Sequence, residues 1–137
     1  MAIDQQRHRM IRHAVLRDPE RAIDASIVLW RGLAGELAAI VGERGFESLY
    51  ARCLHQVSAR YPWLGSQVSG PREAIFADLL QRLREQGMPE AGAAIVALLT
   101  IFIDTLILLI GELVTTSILR AAWGDDAVNY AGTEPEQ

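Results

Sequence analysis

The sequence AGAAIVALLTIFIDTLILLIGELVTTSILRAAW, at residues 91–123, decides the fold of this chain. Within it, an apolar run from 93 to 119 is interrupted by only two charged residues, Asp104 and Glu112. Continuous apolar sequence of this length predicts one long helix. At a rise of about 1.5 Å per residue, the helix would extend over roughly 50 Å. We therefore expect it to be the central element of the fold.

The polar residues of this segment lie on one side of the predicted helix. At 100° per residue, less than half of the circumference contains Thr100, Asp104, Gly111, Glu112, Thr115 and Thr116. This sorting favours a soluble helix that is buried on most of its circumference. A membrane-spanning helix that turns its acids into a bundle shows the same pattern, so a small integral membrane protein with a span near 93–119 is the alternative. Its location would then be the inner membrane.

The composition is typical of one soluble domain. The chain has 137 residues, of which 50% are hydrophobic, and this suffices for a sizeable core. All 13 basic residues are arginine, and the net charge of −4 comes from four acids after residue 124. A body close to neutral argues against an extended nucleic-acid surface, which needs clustered positive charge. With a single cysteine, Cys53, and no signal-peptide pattern, we expect a cytoplasmic protein.

Both ends of the chain differ from the apolar middle. Residues 1–17 contain Arg7, Arg9, Arg12 and Arg17 against one acid, and they predict a basic N-terminal arm. We interpret this arm as a short helix docked by one edge; contact with nucleic acid or anionic lipid is the alternative. Residues 125–137 are predicted to form an acidic disordered tail. A helical bundle domain is left at 18–124.

Start and stop signals divide this domain into helices. Asp18 and Pro19 are typical of a helix start. The aspartate side chain can accept a hydrogen bond from a free backbone amide of the first turn. Proline lacks an amide hydrogen, but the amides of the first turn have no partner within the helix, so nothing is lost there. The glycines in Gly42-Glu43-Arg44-Gly45 mark a turn or a sharp kink. The predicted helices span 19–41, 43–61, 71–86 and 91–123. The fold class is therefore all-α: a bundle of four main helices built around one long C-terminal helix, with a short N-terminal helical arm.

A shift of 69 residues aligns Gly42-Glu43 with Gly111-Glu112. The same shift pairs aliphatic and serine residues on both sides, namely Leu37, Ile40, Val41, Ser48 and Leu49 with Leu106, Leu109, Ile110, Ser117 and Ile118. Leucine and isoleucine match often by chance, so this alignment alone does not establish a repeat. If the repeat is real, the glycines mark a close helix crossing that brings Glu43 and Glu112 together.

These two glutamates and Asp104 are the only candidates for chemistry. Paired carboxylates in a half-buried cleft can perform acid/base catalysis or hold a divalent cation. The chain lacks the Glu-x-x-His repeats of a di-iron bundle, a glycine-rich phosphate loop and a recognisable Ser/His/Asp set. We therefore predict no enzyme, no catalytic residues, no metal site and no cofactor. Asp104 and Glu112 are expected to form buried ion pairs with arginines.

The predicted function is protein–protein interaction. A helix longer than its neighbours leaves apolar surface uncovered, and homodimerisation is the simplest use of that surface. We expect a non-enzymatic interaction or adaptor module that forms a homodimer through the long helix. A further protein partner is compatible with this, and a helical pocket for an apolar small molecule is another alternative. The candidate interface or ligand residues are Trp30, Trp63, Asp104, Leu108, Glu112, Ile118 and Trp123.

Overall fold

A computed structural model describes residues 9–13, 15–65 and 70–124. These residues are mostly helical and contain no strand, which confirms the predicted all-α class. The long helices are α1 (Ala22–Ser58), α2 (Arg72–Gln86), α3 (Glu90–Ile110) and α4 (Glu112–Trp123). Residues 9–13 and 15–16 are also helical, and short 3-10 turns lie at Pro19–Arg21 and Pro62–Leu64. The predicted tail at 125–137 and the first eight residues of the arm lie outside the described residues.

Helix α1 consists of two halves that meet at Gly42. Its backbone has φ 85° and ψ 165°, a conformation that essentially only glycine adopts. We call the halves α1a, residues 22–41, and α1b, residues 43–58. The kink that the two glycines predict is thus confirmed, at the first of them.

The segment 91–123 is not the single long helix that the sequence predicts. Gly111, with φ 93° and ψ 159°, ends α3, and α4 begins at Glu112. The Gly111 amide donates to the Ile107 carbonyl at 2.9 Å, so this glycine caps α3 while turning the chain. An acidic first residue suits the positive end of the next helix. The apolar pattern continues across the break, and this is why it hides the stop signal.

Two ion pairs fix the direction of α2. Arg84 contacts Asp24 at 2.9 Å, and Glu73 contacts Arg31 at 3.3 Å. The end of α2 therefore lies at the start of α1a, and the two helices are antiparallel.

Contacts of α3 place both glycine breaks toward the same end of the bundle. The Cys53 thiol of α1b lies 3.8 Å from the Thr105 hydroxyl, while the first half of α3 shares a cavity with Arg60 and Tyr61. Helix α3 thus runs antiparallel to α1b, and its last residue points toward the α1b start. Helix α4 returns along α1a, where the Trp123 indole donates to the Leu29 carbonyl at 2.9 Å.

Five aromatic rings form the centre of the core. Ring centroids of Trp30 lie 5.1 Å from Tyr50 and 5.0 Å from Phe102, both edge to face. Phe46 and Phe76 complete the cluster, so that α1a, α1b, α2 and α3 each contribute to it. Edge-to-face pairs contribute about 0.5–1.5 kcal/mol beyond the burial of their area. The same core continues into the N-terminal segment.

Met10, Ile11 and Val15 of that segment are buried in the core. Their exposed neighbours Arg9 and Arg12 point away from it. The described part of the arm is therefore a docked helix that shares its core with the bundle.

Candidate functional site

An exposed apolar surface surrounds the two glycine breaks. Eight large hydrophobic residues are exposed in the described part of the chain, and only Val28 and Met88 lie away from the breaks. We call the others the glycine-break surface: Ile40, Val41, Leu108, Leu109, Leu113 and Val114. Leu108 is 85% exposed and Leu113 is 87% exposed. A cluster of exposed apolar residues marks an interaction site more often than a single exposed leucine does.

The break at Gly111 explains why these leucines are exposed. Each helix has one face toward the core, and Leu108 and Leu113 lie on other faces of α3 and α4 at the turn between them. Charged residues of both signs adjoin the surface. Glu43 pairs with Arg72 at 3.5 Å, and Glu112 is exposed. The surface is therefore an apolar area with a charged border.

Two predicted interface residues belong to the core instead. Trp30 has no exposed surface, because the helix seam that contains it packs against other helices of the same chain. Ile118 is 4% exposed, because α4 folds back onto α1a after Gly111. Both side chains are therefore packed inside the folded chain, and their role as ligand or interface residues stays a prediction.

The other two tryptophans are half-buried and have partners within the chain. Trp63 lies in the 3-10 turn beside Tyr61, with ring centroids 6.2 Å apart. Its carbonyl accepts a bond from the Arg82 guanidinium at 3.1 Å. Trp123 holds the end of α4 against the Leu29 carbonyl. Trp63 thus lies in the turn between α1b and α2, and Trp123 fastens the end of α4 to α1a.

The two acids of the predicted central helix lie in different environments. Glu112 is exposed at the start of α4 and makes no ion pair within the described residues, so the buried arginine pair expected for it is wrong. Asp104 is half-buried on α3 and lines a cavity. An arginine partner for Asp104 stays a prediction. Glu43 binds Arg72 and not a second glutamate.

This cavity brings Asp104 together with residues that the sequence does not identify as site candidates. Its volume is about 480 Å³, within the range of small-molecule sites. Charged and polar side chains line it together with aliphatic ones: Arg12, Gln56, Val57, Arg60, Tyr61, Ala93, Val96, Ala97, Thr100, Ile101 and Asp104. They come from the N-terminal segment, the end of α1b with the turn after it, and the first half of α3. No local motif in the sequence connects these three segments.

Cys53 behaves as a small buried hydrophobic residue. Burial raises the pKa of its thiol. This effect is larger than the opposing effects of the Thr105 hydrogen bond and the Arg52 charge, which lower the pKa. A thiol that stays protonated is a poor nucleophile. Among the described residues, no group of three His, Cys, Asp or Glu side chains is placed to hold a metal ion.

Two helical segments of the described chain are long and apolar enough to cross a membrane. They are Pro19–Ser58, with a mean hydropathy of 1.4 in its most apolar window, and Glu90–Ile110, with 2.7. In these windows 33% and 44% of the residues are buried inside the protein. Length and composition alone do not separate a membrane span from a core helix.

Comparison with known proteins gave no match: no family model matches this chain, and neither a curated protein nor a solved structure is significantly similar to it.

Proposed function

We propose that this chain is a non-enzymatic interaction module that forms a homodimer through the glycine-break surface. The observation that carries the proposal is the concentration of exposed aliphatic residues at one end of the bundle, above all Leu108 and Leu113. Among the described residues, Val28 and Met88 are the only other large apolar side chains that are exposed, so this end stands out from the rest of the described surface.

The energetics favour such an assembly. Burying one large aliphatic side chain contributes about 1.5–3 kcal/mol. Association costs on the order of 4–15 kcal/mol in lost freedom. Six aliphatic residues on each of two copies are enough to offset that cost. An isologous dimer also fits the charged border. Glu43, Arg44 and Glu112 give this border both positive and negative charges. Two copies related by a two-fold axis therefore do not bring surfaces of a single charge together.

Sedimentation velocity on detergent-free protein tests the proposal. We expect a dimer at tens of micromolar, and the double substitution Leu108→Ser and Leu113→Ser should yield a monomer with unchanged helical circular dichroism. Val28→Ser is the matched control, because Val28 is 65% exposed but lies away from the glycine-break surface. A wild-type monomer, or a dimer that tolerates the double substitution, contradicts the proposal.

A membrane location is the second candidate, and the hydropathy of α3 is the observation that favours it. In that case Leu108 and Leu109 contact lipid instead of a second copy. Fractionation separates the two proposals. Protein recovered only from membranes, and retained there at alkaline pH, supports the membrane candidate, whereas protein in the soluble fraction supports a cytoplasmic dimer.

A further inference from the structure

The cavity beside α3 has a charged mouth and an apolar floor. Arg12 and Arg60 are both exposed, so their guanidinium groups lie at the mouth. Val57 and Val96 are buried and form the floor, and Ala97 adds apolar wall between them and the solvent. Sites for small amphiphilic molecules have this arrangement, because the apolar part is desolvated while the charged group keeps partners near water.

A hydroxyl group behind the cavity wall lacks a partner among the described residues. The Oγ1 atom of Thr100 is buried and makes no hydrogen bond with any residue that the structure describes. A buried polar atom without a partner costs about 1–3 kcal/mol. Thr105, five residues later on α3, donates its hydroxyl to the Ile101 carbonyl at 2.7 Å. Thr100 has not taken that usual local option, and its Oγ1 atom has almost no accessible surface, so the hydroxyl lies behind the cavity wall.

We propose that this cavity binds a small aliphatic carboxylate. The carboxylate would bond to Arg12 and Arg60 at the mouth, since guanidinium groups match carboxylates in geometry and charge. The aliphatic chain would lie on Val57 and Val96. Asp104 lines the same cavity, yet two guanidinium groups outweigh one carboxylate, so the charge at the mouth favours an anion over a cation.

The volume sets the size of the ligand. Octanoate has about ten non-hydrogen atoms, which occupy roughly 300 Å³ when each takes the volume of a water molecule. That fits within a cavity of about 480 Å³. Octanoate is therefore a suitable probe, and it is soluble as a monomer at millimolar concentrations.

Isothermal titration calorimetry with octanoate tests the site, with octylammonium and octan-1-ol as ligands of matched chain and different charge. We expect octanoate to bind at least tenfold more tightly than octylammonium. Arg60→Gln should weaken octanoate binding by about tenfold, as the loss of one charge-assisted hydrogen bond does. Arg52→Gln is the control. Arg52 is exposed on the same helix α1b, belongs neither to the cavity nor to the glycine-break surface, and its substitution removes the same charge.

Two further variants separate binding from folding. Ala97→Phe places a ring in the cavity and should abolish binding while leaving the melting temperature unchanged or higher. Thr100→Val keeps the shape and removes the unpartnered hydroxyl. It should raise thermal stability and leave octanoate affinity unchanged, because the hydroxyl has almost no accessible surface. Ala97→Phe and Thr100→Val therefore separate an effect on the cavity from an effect on stability.

Three results overturn the proposal. They are the absence of octanoate binding at millimolar concentrations, tighter binding of octylammonium, and binding that survives both Arg60→Gln and Ala97→Phe. The last result would place octanoate on the glycine-break surface, and its loss in the Leu108→Ser, Leu113→Ser variant would confirm that location. The dimer proposal stands or falls separately, because Arg60, Ala97 and Thr100 are not part of that surface.

Discussion

Gly42 and Gly111 lie 69 positions apart and have nearly the same backbone conformation, with φ 85° and ψ 165° at the first and φ 93° and ψ 159° at the second. Each glycine ends an apolar helix, and each is followed by a glutamate that begins the next helix, Glu43 or Glu112. The chain therefore contains two helix–glycine–helix units of the same local design.

Burial extends this equivalence beyond the glycines. Seven residues of α1a are buried, and a shift of 69 places every one of them on a buried residue of α3. The pairs join Ala22, Ser26, Ile27, Trp30, Leu33, Ala34 and Leu37 to Ala91, Ile95, Val96, Leu99, Phe102, Ile103 and Leu106. Few of these pairs are identical, so the equivalence lies in which face is buried and not in residue identity.

Alanine substitutions at the breaks should destabilise the fold. Nothing lies within 4 Å of a Cβ added at Gly42 or Gly111, so the cost is conformational alone. A side chain in this region of φ and ψ costs on the order of 1–3 kcal/mol. We expect Gly42→Ala and Gly111→Ala each to lower the free energy of unfolding by that amount in urea titrations.

Gly35→Ala is the matched control. Gly35 also has no atom within 4 Å of an added Cβ, but it lies inside α1a and has no positive φ. Alanine there should raise the free energy of unfolding by about 0.5–1 kcal/mol, because glycine is the weaker helix former. Equal effects at Gly35 and Gly111 would mean that α3 and α4 form one continuous helix in solution.

The two breaks also show how far the sequence predicts this fold. The kink in α1 is predictable, because Gly42 and Gly45 occur together among charged residues. The break at Gly111 is hidden, because the residues on both sides continue the apolar pattern and a single glycine in such a run is compatible with a helix. Tertiary packing of α4 on α1a determines that the helix ends at Gly111. The same packing buries Ile118, which the continuous helix would have exposed.

The candidate sites were less predictable than the helices. Leu108 was identified as an interface candidate from its place on the apolar segment, whereas Trp30 shares that apolar character and is buried. Local pattern shows that a residue packs against something, but not whether the partner is in the same chain. Of the residues that line the cavity, the sequence predicts only Asp104, because Arg12, Arg60 and Thr100 come together only when three distant segments pack.

Gly32, which lies within α1a, permits the close approach of α4. A Cβ added at Gly32 would lie 2.9 Å from the carbonyl oxygen of Ala122, a backbone atom that cannot move aside alone. Gly32→Ala should therefore push the end of α4 outward and cost about 1–3 kcal/mol of stability, as overpacking does. Hydrogen exchange should show faster exchange in residues near Trp123.

Gly35→Ala again serves as the comparison for Gly32→Ala, because both substitutions add the same methyl group to the same helix. Unchanged exchange in the Gly32→Ala protein would show that α4 does not dock against α1a as described. In that event the bond from the Trp123 indole to the Leu29 carbonyl would also be absent.

Tyr50 should make stability depend on pH in alkaline solution. Burial raises its pKa well above the ordinary value of 10.0, with a smaller contribution from the Asp78 charge. A raised pKa in the folded state means that the folded protein keeps the phenol proton when the unfolded chain has lost it. The contribution to stability is then complete below about pH 10 and decreases above it.

Unfolding measured between neutral pH and the region above pH 10 checks this dependence. The wild type should lose stability in the alkaline range more steeply than Tyr50→Phe, although Tyr50→Phe is expected to be as stable or nearly so at neutral pH. Tyr61, which is half-buried, provides the control as Tyr61→Phe. If Tyr50→Phe and the wild type have the same alkaline slope, the Tyr50 hydroxyl is solvated in the folded protein.

Substitutions in the N-terminal segment distinguish a docked helix from a free basic arm. Ile11 has no exposed surface and lies in the core, while its neighbour Arg12 is exposed. Ile11→Ala should therefore cost about 2–5 kcal/mol of stability, and Arg12→Ala should change it by less than about 0.5 kcal/mol. The cost at Ile11 should persist in high salt, because apolar burial is not screened as surface charge is. The opposite result would be no loss of stability in Ile11→Ala together with a salt-dependent loss in Arg12→Ala. It would show that charge, and not packing, holds this segment against the bundle. The predicted boundary at residue 17 would then separate a basic arm from the bundle domain.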